Sequence, residues 1–346
     1  MHVLIIGAGA IGLFTGARLA LAGDEVCLVG RPALLDSVRS SGLTLIEPGA
    51  APRTTAPRCV SDLESAFADA APYDLALLTV KAYDTDAAIA ELRAAASIVP
   101  PIVTLQNGVG NEEALASAFG PDRVLSAAID TPVSIPQPGQ VQIHKRRYGI
   151  GLATLGNRQA LALATGALKG AGFTVQVFDD YRGLKWSKLL MNILANAQCA
   201  ILGWTPAQVM ADRTASELEA RAWQEAATVM RRLAIAPVSL GGYPFPQLMP
   251  LVERLPPRWV ARGLRRFVAG GRGAKLPSLR LALEAGKPSE VRWLNGAVAR
   301  YGSDTGAPAP VNATVTSVLE GLTRRTIPED AYRDDPKRLA ALLERP

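Results

Sequence analysis

The sequence is short of the residues that most often announce a chemistry. Three cysteines, Cys27, Cys59 and Cys199, in 346 residues are odd in number, widely spaced and without a C-x-x-C pair. That excludes a disulfide framework and a structural zinc site, and leaves them as small core residues. Histidine is scarcer, with only His2 and His144. No apolar run approaches the roughly 18 residues of a membrane-spanning helix, and Val3–Ile6 opens a strand-like stretch without the basic flank and cleavable apolar segment of a secretory signal. The chain therefore reads as cytoplasmic. It carries no internal repeat and no low-complexity tract.

A chain-wide charge imbalance is missing too. Against 31 acidic residues stand 37 basic ones, a formal charge of +6, which would suggest a nucleic-acid partner if the excess were spread out. It is not. Between Pro237 and Pro277 lie Arg254, Arg258, Arg262, Arg265, Arg266, Arg272 and Lys275 against Glu253 alone, so a near-neutral chain carries one basic insert. Within it Arg258–Val268 interleaves Trp259, Val260, Leu264 and Phe267 with arginines, the pattern of a solvated amphipathic helix or of a patch for a membrane surface or anionic partner. Neither a membrane span nor a nucleic-acid partner is expected.

What is present is an ordinary globular composition, 49% hydrophobic and 20% charged, long enough for two domains. In the first half, apolar runs at Val3–Ile6, Glu25–Val29, Leu75–Val80 and Ile102–Leu105 alternate with helical patterns, beginning with Ile11–Ala22. Such alternation implies a mostly parallel sheet covered by helices on both faces. Leu125–Ile129, Val141–Ile143 and Phe173–Phe178 are expected to complete that sheet. From Leu184 the texture turns helical, with patterns at Leu184–Ile201, Ser216–Leu233, Glu290–Tyr301 and Val311–Arg325, and a charged surface helix or tail from Ile327 to Pro346. The expected division is an α/β domain over 1–180 and an all-α domain over 181–346, with the insert at 237–277 and the boundary near Asp179–Arg182.

Gly7-Ala8-Gly9-Ala10-Ile11-Gly12 directly follows the first strand and opens the first helix. In that context G-x-G-x-x-G is a dinucleotide-binding turn: the first glycine for the turn, the second for approach of a pyrophosphate, the third for helix–strand packing. After the second strand the chain reads Val29-Gly30-Arg31, where a carboxylate would select NAD. A guanidinium pairs with a 2′-phosphate instead, so Arg31 favours NADP(H). Lys81 and Asn107-Gly108-Val109-Gly110 follow two further strands, at the carboxyl ends where open α/β sheets bind ligands. Taken alone, the lysine is equally a solvated loop residue and Asn107-Gly108 equally a tight turn.

A nicotinamide that reduces a carbonyl needs a partner to supply a proton to the oxygen. His2 precedes the first strand and His144 sits among Lys145, Arg146 and Arg147, so neither is placed for it. Tyr181 and Lys185 have the Tyr-x-x-x-Lys spacing of short-chain dehydrogenases, but the glycine spacing here is not that family's. The stronger candidates are Lys188, Asn192 and Asn196, which recur every four residues and share one face of a helix. Such a polar stripe on an apolar segment should face a cleft and a polar ligand, or else be tied up in structural hydrogen bonds. Downstream, Pro277-Ser278 and Ser289-Glu290 each begin a helical segment, positions that serine and acidic residues also occupy for capping reasons alone.

Together these residues resemble the ketopantoate reductase (2-dehydropantoate 2-reductase) family. The resemblance runs through Gly7-x-Gly9-x-x-Gly12, Arg31, Val80-Lys81-Ala82, Gln106-Asn107-Gly108-Val109-Gly110, Trp186-x-Lys188-x3-Asn192-x3-Asn196, Pro277-Ser278-Leu279 and Glu284-Ala285-Gly286-Lys287-Pro288-Ser289-Glu290. It implies an NADP-binding Rossmann domain followed by a helical substrate domain, NADP(H) as cofactor and a small 2-keto acid as substrate. It further implies Lys188 as proton donor, Asn192 and Asn196 on the substrate's polar groups, Ser278 on its carboxylate, and Glu290 on the hydroxyl or cofactor side. Lys81 and Asn107 would bridge nicotinamide and substrate. A homodimer through the helical domain is implied by the same analogy. Two departures stand out. Ala197-Gln198-Cys199-Ala200 replaces the family's usual Pro-Leu-Thr-Ala, with no asparagine about ten residues later, and the basic insert is long. They leave open another 2-keto acid, the oxidative direction, or a non-catalytic NADP-sensing regulator.

Overall fold

The computed structural model describes residues 1–68, 71–145, 148–269 and 276–344. Arg272 and Lys275 of the basic insert, and Arg146 and Arg147 beside His144, lie outside the described residues. The chain divides into two compact units, Met1–Gln106 with Gly110–Lys185, and Asn107–Val109 with Trp186–Pro346.

The first unit runs β1 (His2–Ile6), α1 (Ala10–Leu21), β2 (Glu25–Val29), α2 (Pro32–Ser41), β3 (Leu43–Ile46), β4 (Arg53–Thr55), β5 (Arg58–Val60), α3 (Leu63–Ala68), β6 (Leu75–Leu78), α4 (Thr85–Ala95), β7 (Ile102–Thr104), α5 (Asn111–Phe119), β8 (Val124–Ile129), β9 (Val133–Ser134), β10 (Gln140–Ile143), β11 (Gly149–Thr154), α6 (Arg158–Gly170) and β12 (Thr174–Val177). Eight strands form one sheet in the order β12-β11-β8-β7-β6-β1-β2-β5, parallel throughout except for the antiparallel pair β8–β11. Alternation along the strands builds two cores: Val3 and Ile5 of β1 point to a cluster with Leu13, Phe14 and Ala17 of α1, while Leu4 and Ile6 point to one with Ile89 and Leu92 of α4. A sheet buried on both faces needs near-continuous apolar strands, which is why β1 and β6 read as VLII and LALL. This is a doubly wound Rossmann arrangement, and the chain reverses its winding between β1 and β6, where such sheets open a ligand crevice.

One expected strand goes elsewhere. Val141–Ile143 pairs with β3 and β9 in a separate four-stranded sheet, β4-β3-β10-β9, and β11 takes the place beside β8. Apolar alternation marks a half-buried strand but not its partner: Val141 and Ile143 still reach the core shared with α1.

The second unit is helical: α7 (Tyr181–Ile193, whose first turn belongs to the first unit), α8 (Ala197–Leu202), α9 (Pro206–Ala211), α10 (Arg213–Arg232), α11 (Phe245–Arg254), α12 (Pro257–Ala269), α13 (Ser278–Glu284), α14 (Asn295–Asp304), α15 (Pro310–Thr323) and α16 (Pro336–Ala340). Helix α10 is its hub, touching α9, α11, α12, α14, α15 and α16 through a stripe that includes Ala215, Leu218, Ala222, Trp223, Ala226 and Met230. No described helix is long and apolar enough to cross a membrane.

Four expectations change here. The pattern over Leu184–Ile201 is two helices, broken at Leu194–Asn196, because Ala195 takes a left-handed φ of 51°. Glu290–Tyr301 is also divided: a 3₁₀ turn at Val291–Trp293 precedes α14, and Leu294 sits between them with φ −104° and ψ −105°. The basic insert holds two helices, and α12 buries Val260, Ala261, Leu264 and Val268 while Trp259 remains half-exposed. In the charged C-terminal segment Leu339 is buried where α16 meets α10.

Candidate functional site

In the first unit the glycine turn lies where β1 feeds α1. Gly7 has φ +106°, and a Cβ there would come within 2.7 Å of the Val80 backbone nitrogen, so no other residue fits without moving that neighbour. The turn is pinned by Gly7 N–H donating to Val29 O at 3.0 Å and by the Thr79 hydroxyl donating to Gly7 O at 2.6 Å. A Cβ on Gly12 would meet that same threonine oxygen, the close helix–strand approach that the third glycine permits. Gly9 differs: it N-caps α1 without a side-chain cap, is exposed, and has nothing within 4 Å of where its Cβ would be. An open space over uncapped first-turn N–H groups fits a pyrophosphate. Ala8, Ala10 and Ile11 complete the turn.

Because the strands run β7-β6-β1-β2, four segments line one carboxyl edge in order. Arg31 follows β2 and is exposed as the residue preceding α2, and its side chain has no hydrogen-bond partner among the described residues. Next come the glycine turn after β1, Lys81 after β6, and Gln106 after β7. Gln106 is buried; its amide donates to Thr85 Oγ1 at 2.8 Å and to the Lys81 carbonyl at 3.4 Å, tying the two loops together.

The second pair considered from sequence, Tyr181 and Lys185, is structural. Tyr181 Oη donates to Glu113 at 3.3 Å. Lys185, 3% exposed, pairs with the 1% exposed Glu112 at 3.0 Å and donates to Gln106 O, while Ser126 donates to the same glutamate at 2.8 Å. Desolvation by the surrounding chain, with Glu112 alongside, raises the carboxyl of the solvent-exposed Glu113 above its ordinary value. The histidines are likewise occupied: His2 lies 3.3 Å from Glu25 and His144 2.8 Å from Ser134 Oγ.

In the second unit four of the singled-out residues form one hydrogen-bonded series. Asn192 Nδ2 donates to Asn107 Oδ1 at 3.1 Å; Asn196 Nδ2 donates to Asn192 O at 2.9 Å and reaches Ser278 Oγ at 3.4 Å; and Leu279 N–H donates to Asn196 Oδ1 at 3.1 Å. The expected stripe therefore survives the break in the helix, with Asn196 as the N-cap of α8 rather than a further turn of α7. Lys188 precedes Asn192 by one turn and is buried. Glu290 is buried as well, at the start of the Val291–Trp293 turn, which receives the Asn107 segment: Val109 N–H donates to Trp293 O at 3.1 Å. Gly108, with φ +86°, leaves no room for a Cβ against that residue.

Two buried polar residues beside these positions carry little signal in the sequence. Gln106 gave no sign beyond its place before Asn107. Glu219 accepts the Ala195 N–H at 2.9 Å at the break beside Asn196, and its signal was a charged residue on the apolar stripe of α10, beside Leu218 and Ala222. Burial without a counter-charge pushes its carboxyl up to about 8.

Comparison with known proteins follows the same division. Residues 3–157 match the family described as ketopantoate reductase PanE/ApbA, and residues 180–323 match its C-terminal part. The chain is 27% identical to the 2-dehydropantoate 2-reductase of Mesorhizobium japonicum, over 96% of this chain and all of that one. It is 28% identical to the enzyme of that name from Archaeoglobus fulgidus, over 93% and 97%. Among solved structures, a PanE/ApbA family ketopantoate reductase from Ralstonia eutropha superposes with TM-score 0.79 at 26% identity, covering 94% of this chain and 99% of that one. A D-mandelate dehydrogenase in complex with NADH and anilino(oxo)acetate shares the fold, with TM-score 0.79 at 22% identity and the same coverage. The chain thus belongs to the ketopantoate reductase family, a family of oxidoreductases.

Proposed function

We propose that the protein is an NADPH-dependent reductase that converts 2-dehydropantoate, or a closely related branched 2-keto acid, to the 2-hydroxy acid, with Lys188 as proton donor. The first unit, 1–180 by the sequence division, binds the cofactor, and the second, 181–346, binds the substrate. When bound, NADPH supplies the hydride that the carbonyl carbon accepts. The residues of the chain do the rest. The turn Gly7, Ala8, Gly9, Ala10, Ile11 and Gly12 cradles the pyrophosphate, and Arg31 pairs with the 2′-phosphate. Lys81 and Asn107 serve both nicotinamide and substrate. Asn192 and Asn196 orient the polar groups of the keto acid, Ser278 holds its carboxylate, and Glu290 receives the hydroxyl side. Lys188 gives its proton to the carbonyl oxygen as the alkoxide forms; withdrawal of an ammonium from water favours that release.

The observation that carries the reading is the series Asn107–Asn192–Asn196–Ser278, one turn from the buried Lys188. A regulator that only sensed NADP would have no use for this arrangement. The substrate is kept broader than 2-dehydropantoate because Ala197-Gln198-Cys199 stands where the family commonly has Pro-Leu-Thr.

NADPH consumption followed spectrophotometrically over a panel of 2-keto acids tests the proposal. Turnover with at least one branched 2-keto acid is expected, and Lys188→Ala should lower kcat by about 10²–10⁴-fold with NADPH affinity nearly intact. A Lys188→Ala enzyme that turns over at the wild-type rate removes the lysine from the mechanism, and a wild-type chain inert on the whole panel removes the reductase assignment.

A further inference from the structure

Between α7 and α8 the chain does something costly for an alanine. Ala195 is held at φ 51°, where its β-carbon crowds the backbone and where glycine or asparagine is usual. Asn196 follows with φ −96° and ψ −59°. A proline at 197 would disfavour that α-region backbone and set the junction by its ring; the residue at 197 is alanine. Something else has to hold the turn.

One buried group meets that backbone. Glu219 lies on α10, 3% exposed, and its Oε2 accepts the Ala195 N–H at 2.9 Å. No cation pairs with it among the described residues. Gln198, 1% exposed, is the second polar group beside the carboxyl, and its Oε1 is buried without a donor among the described residues. Burial pushes the Glu219 carboxyl up to about 8, while the Ala195 N–H and the Gln198 side chain, both hydrogen-bonded to it, pull it down. Among the described residues, Cys199, whose thiol burial and Glu219 both push up, and Arg280, which acts on that thiol in the opposite sense, are the other titratable groups here. A buried acid with no counter-ion is expensive to keep in a core, and this one sits at a junction whose next residue, Asn196, makes three of the hydrogen bonds in the candidate substrate cluster.

We infer that Glu219 is a positioning residue: by fixing the Ala195 backbone it sets the α7–α8 junction and, through it, where Asn196 meets the 2-keto acid. The inference rests on the function proposed above for its substrate, and on the hydrogen bond alone for its geometry. Glutamine at 219 keeps a carbonyl oxygen for Ala195 N–H and needs no proton; leucine keeps the volume and removes the acceptor.

The test compares Glu219→Gln and Glu219→Leu in the full-length chain, with steady-state kinetics and with hydrogen exchange at the Ala195 amide. Glu219→Leu should raise KM for the 2-keto acid about tenfold or more, leave KM for NADPH within about twofold, and speed Ala195 exchange at least about tenfold, while Glu219→Gln stays within about threefold on each. Ala195→Gly, which relieves the left-handed strain, should recover part of the KM in the Glu219→Leu background, and this double variant carries the comparison if Glu219→Leu does not fold by itself. An unchanged keto-acid KM in Glu219→Leu, or a Glu219→Gln enzyme as impaired as the leucine variant, overturns the inference. The two readings fail separately: a wild-type chain inert on every 2-keto acid defeats the reductase proposal, whereas unaltered Ala195 exchange in Glu219→Leu defeats the role of Glu219 whatever the activity.

Discussion

Three lysines stand close to the motifs of this chain, and their surroundings assign them different work. Lys81 is exposed after β6. Lys185 is buried against Glu112 and holds the Gln106 carbonyl; removing either partner would strand a charge in the core, so the pair is architecture. Lys188, three residues on, is buried outside that pair, and it is the lysine for which the proton-donor role is proposed. In the sequence all three were lysines near helix or strand ends, and only side-chain environment separates them. Arg31 is the opposite case, since its proposed pairing with a 2′-phosphate follows from its position after β2 alone. Arg31→Asp should raise KM for NADPH at least about tenfold more than KM for NADH, since a carboxylate repels the 2′-phosphate that a guanidinium pairs with. Equal losses with both cofactors would show that Arg31 does not read the phosphate.

Elements whose pattern is local were read nearly to their ends: β2 falls at Glu25–Val29 as the apolar run implied, and α10 and α15 shift by no more than three residues from the expected spans. Junctions were not, because what breaks a helix here is distant in sequence. Ala195 carries no sign of a left-handed turn, and its stabilising acceptor is 24 residues away. The Asn107–Val109 segment shows the same dependence, since Gly108 looks like a turn glycine and is required instead by the Trp293 backbone and side chain, whose Cβ lies 2.6 Å from where its own would stand. Gly108→Ala adds both a strained φ and a clash with backbone. It should destabilise the chain by about 1–3 kcal/mol in urea unfolding, and it should raise the keto-acid KM, because Asn107 bonds Asn192. A variant with wild-type midpoint and KM would show that the segment yields at no cost.

For the molecule as a whole, the perturbed carboxyls nearly all lean one way. Burial raises Glu225 and brings Glu219 to about 8. A carboxyl with a raised folded-state pKa contributes stability that is complete below its ordinary value near 4.5 and is lost as pH climbs through the folded value, because the unfolded chain ionises first. Asp62, lowered to about 2 by its hydrogen bonds to Ser65 and Ser61, opposes this only at the acid end, where its contribution fades as pH falls through 2. Unfolding free energies from urea titrations should therefore decline from about pH 5 to about pH 8.5, by an amount on the order of a few kcal/mol, and Glu219→Gln should flatten part of that slope. A wild-type midpoint that does not move over this range would contradict the burial on which the argument depends. What the sequence by itself determined was whatever is written in neighbouring residues: the parallel α/β half, the glycine turn, the helical half, and the spacing of Lys188, Asn192 and Asn196. Tertiary structure decided what depends on residues brought from afar. It sent Val141–Ile143 to a second sheet, opened the helix at Ala195 and buried Glu219 against it. It also joined Asn107 and Ser278 to the asparagines of α7 and its junction, because hydrogen-bond partners and burial are properties of the folded chain and not of local order along it.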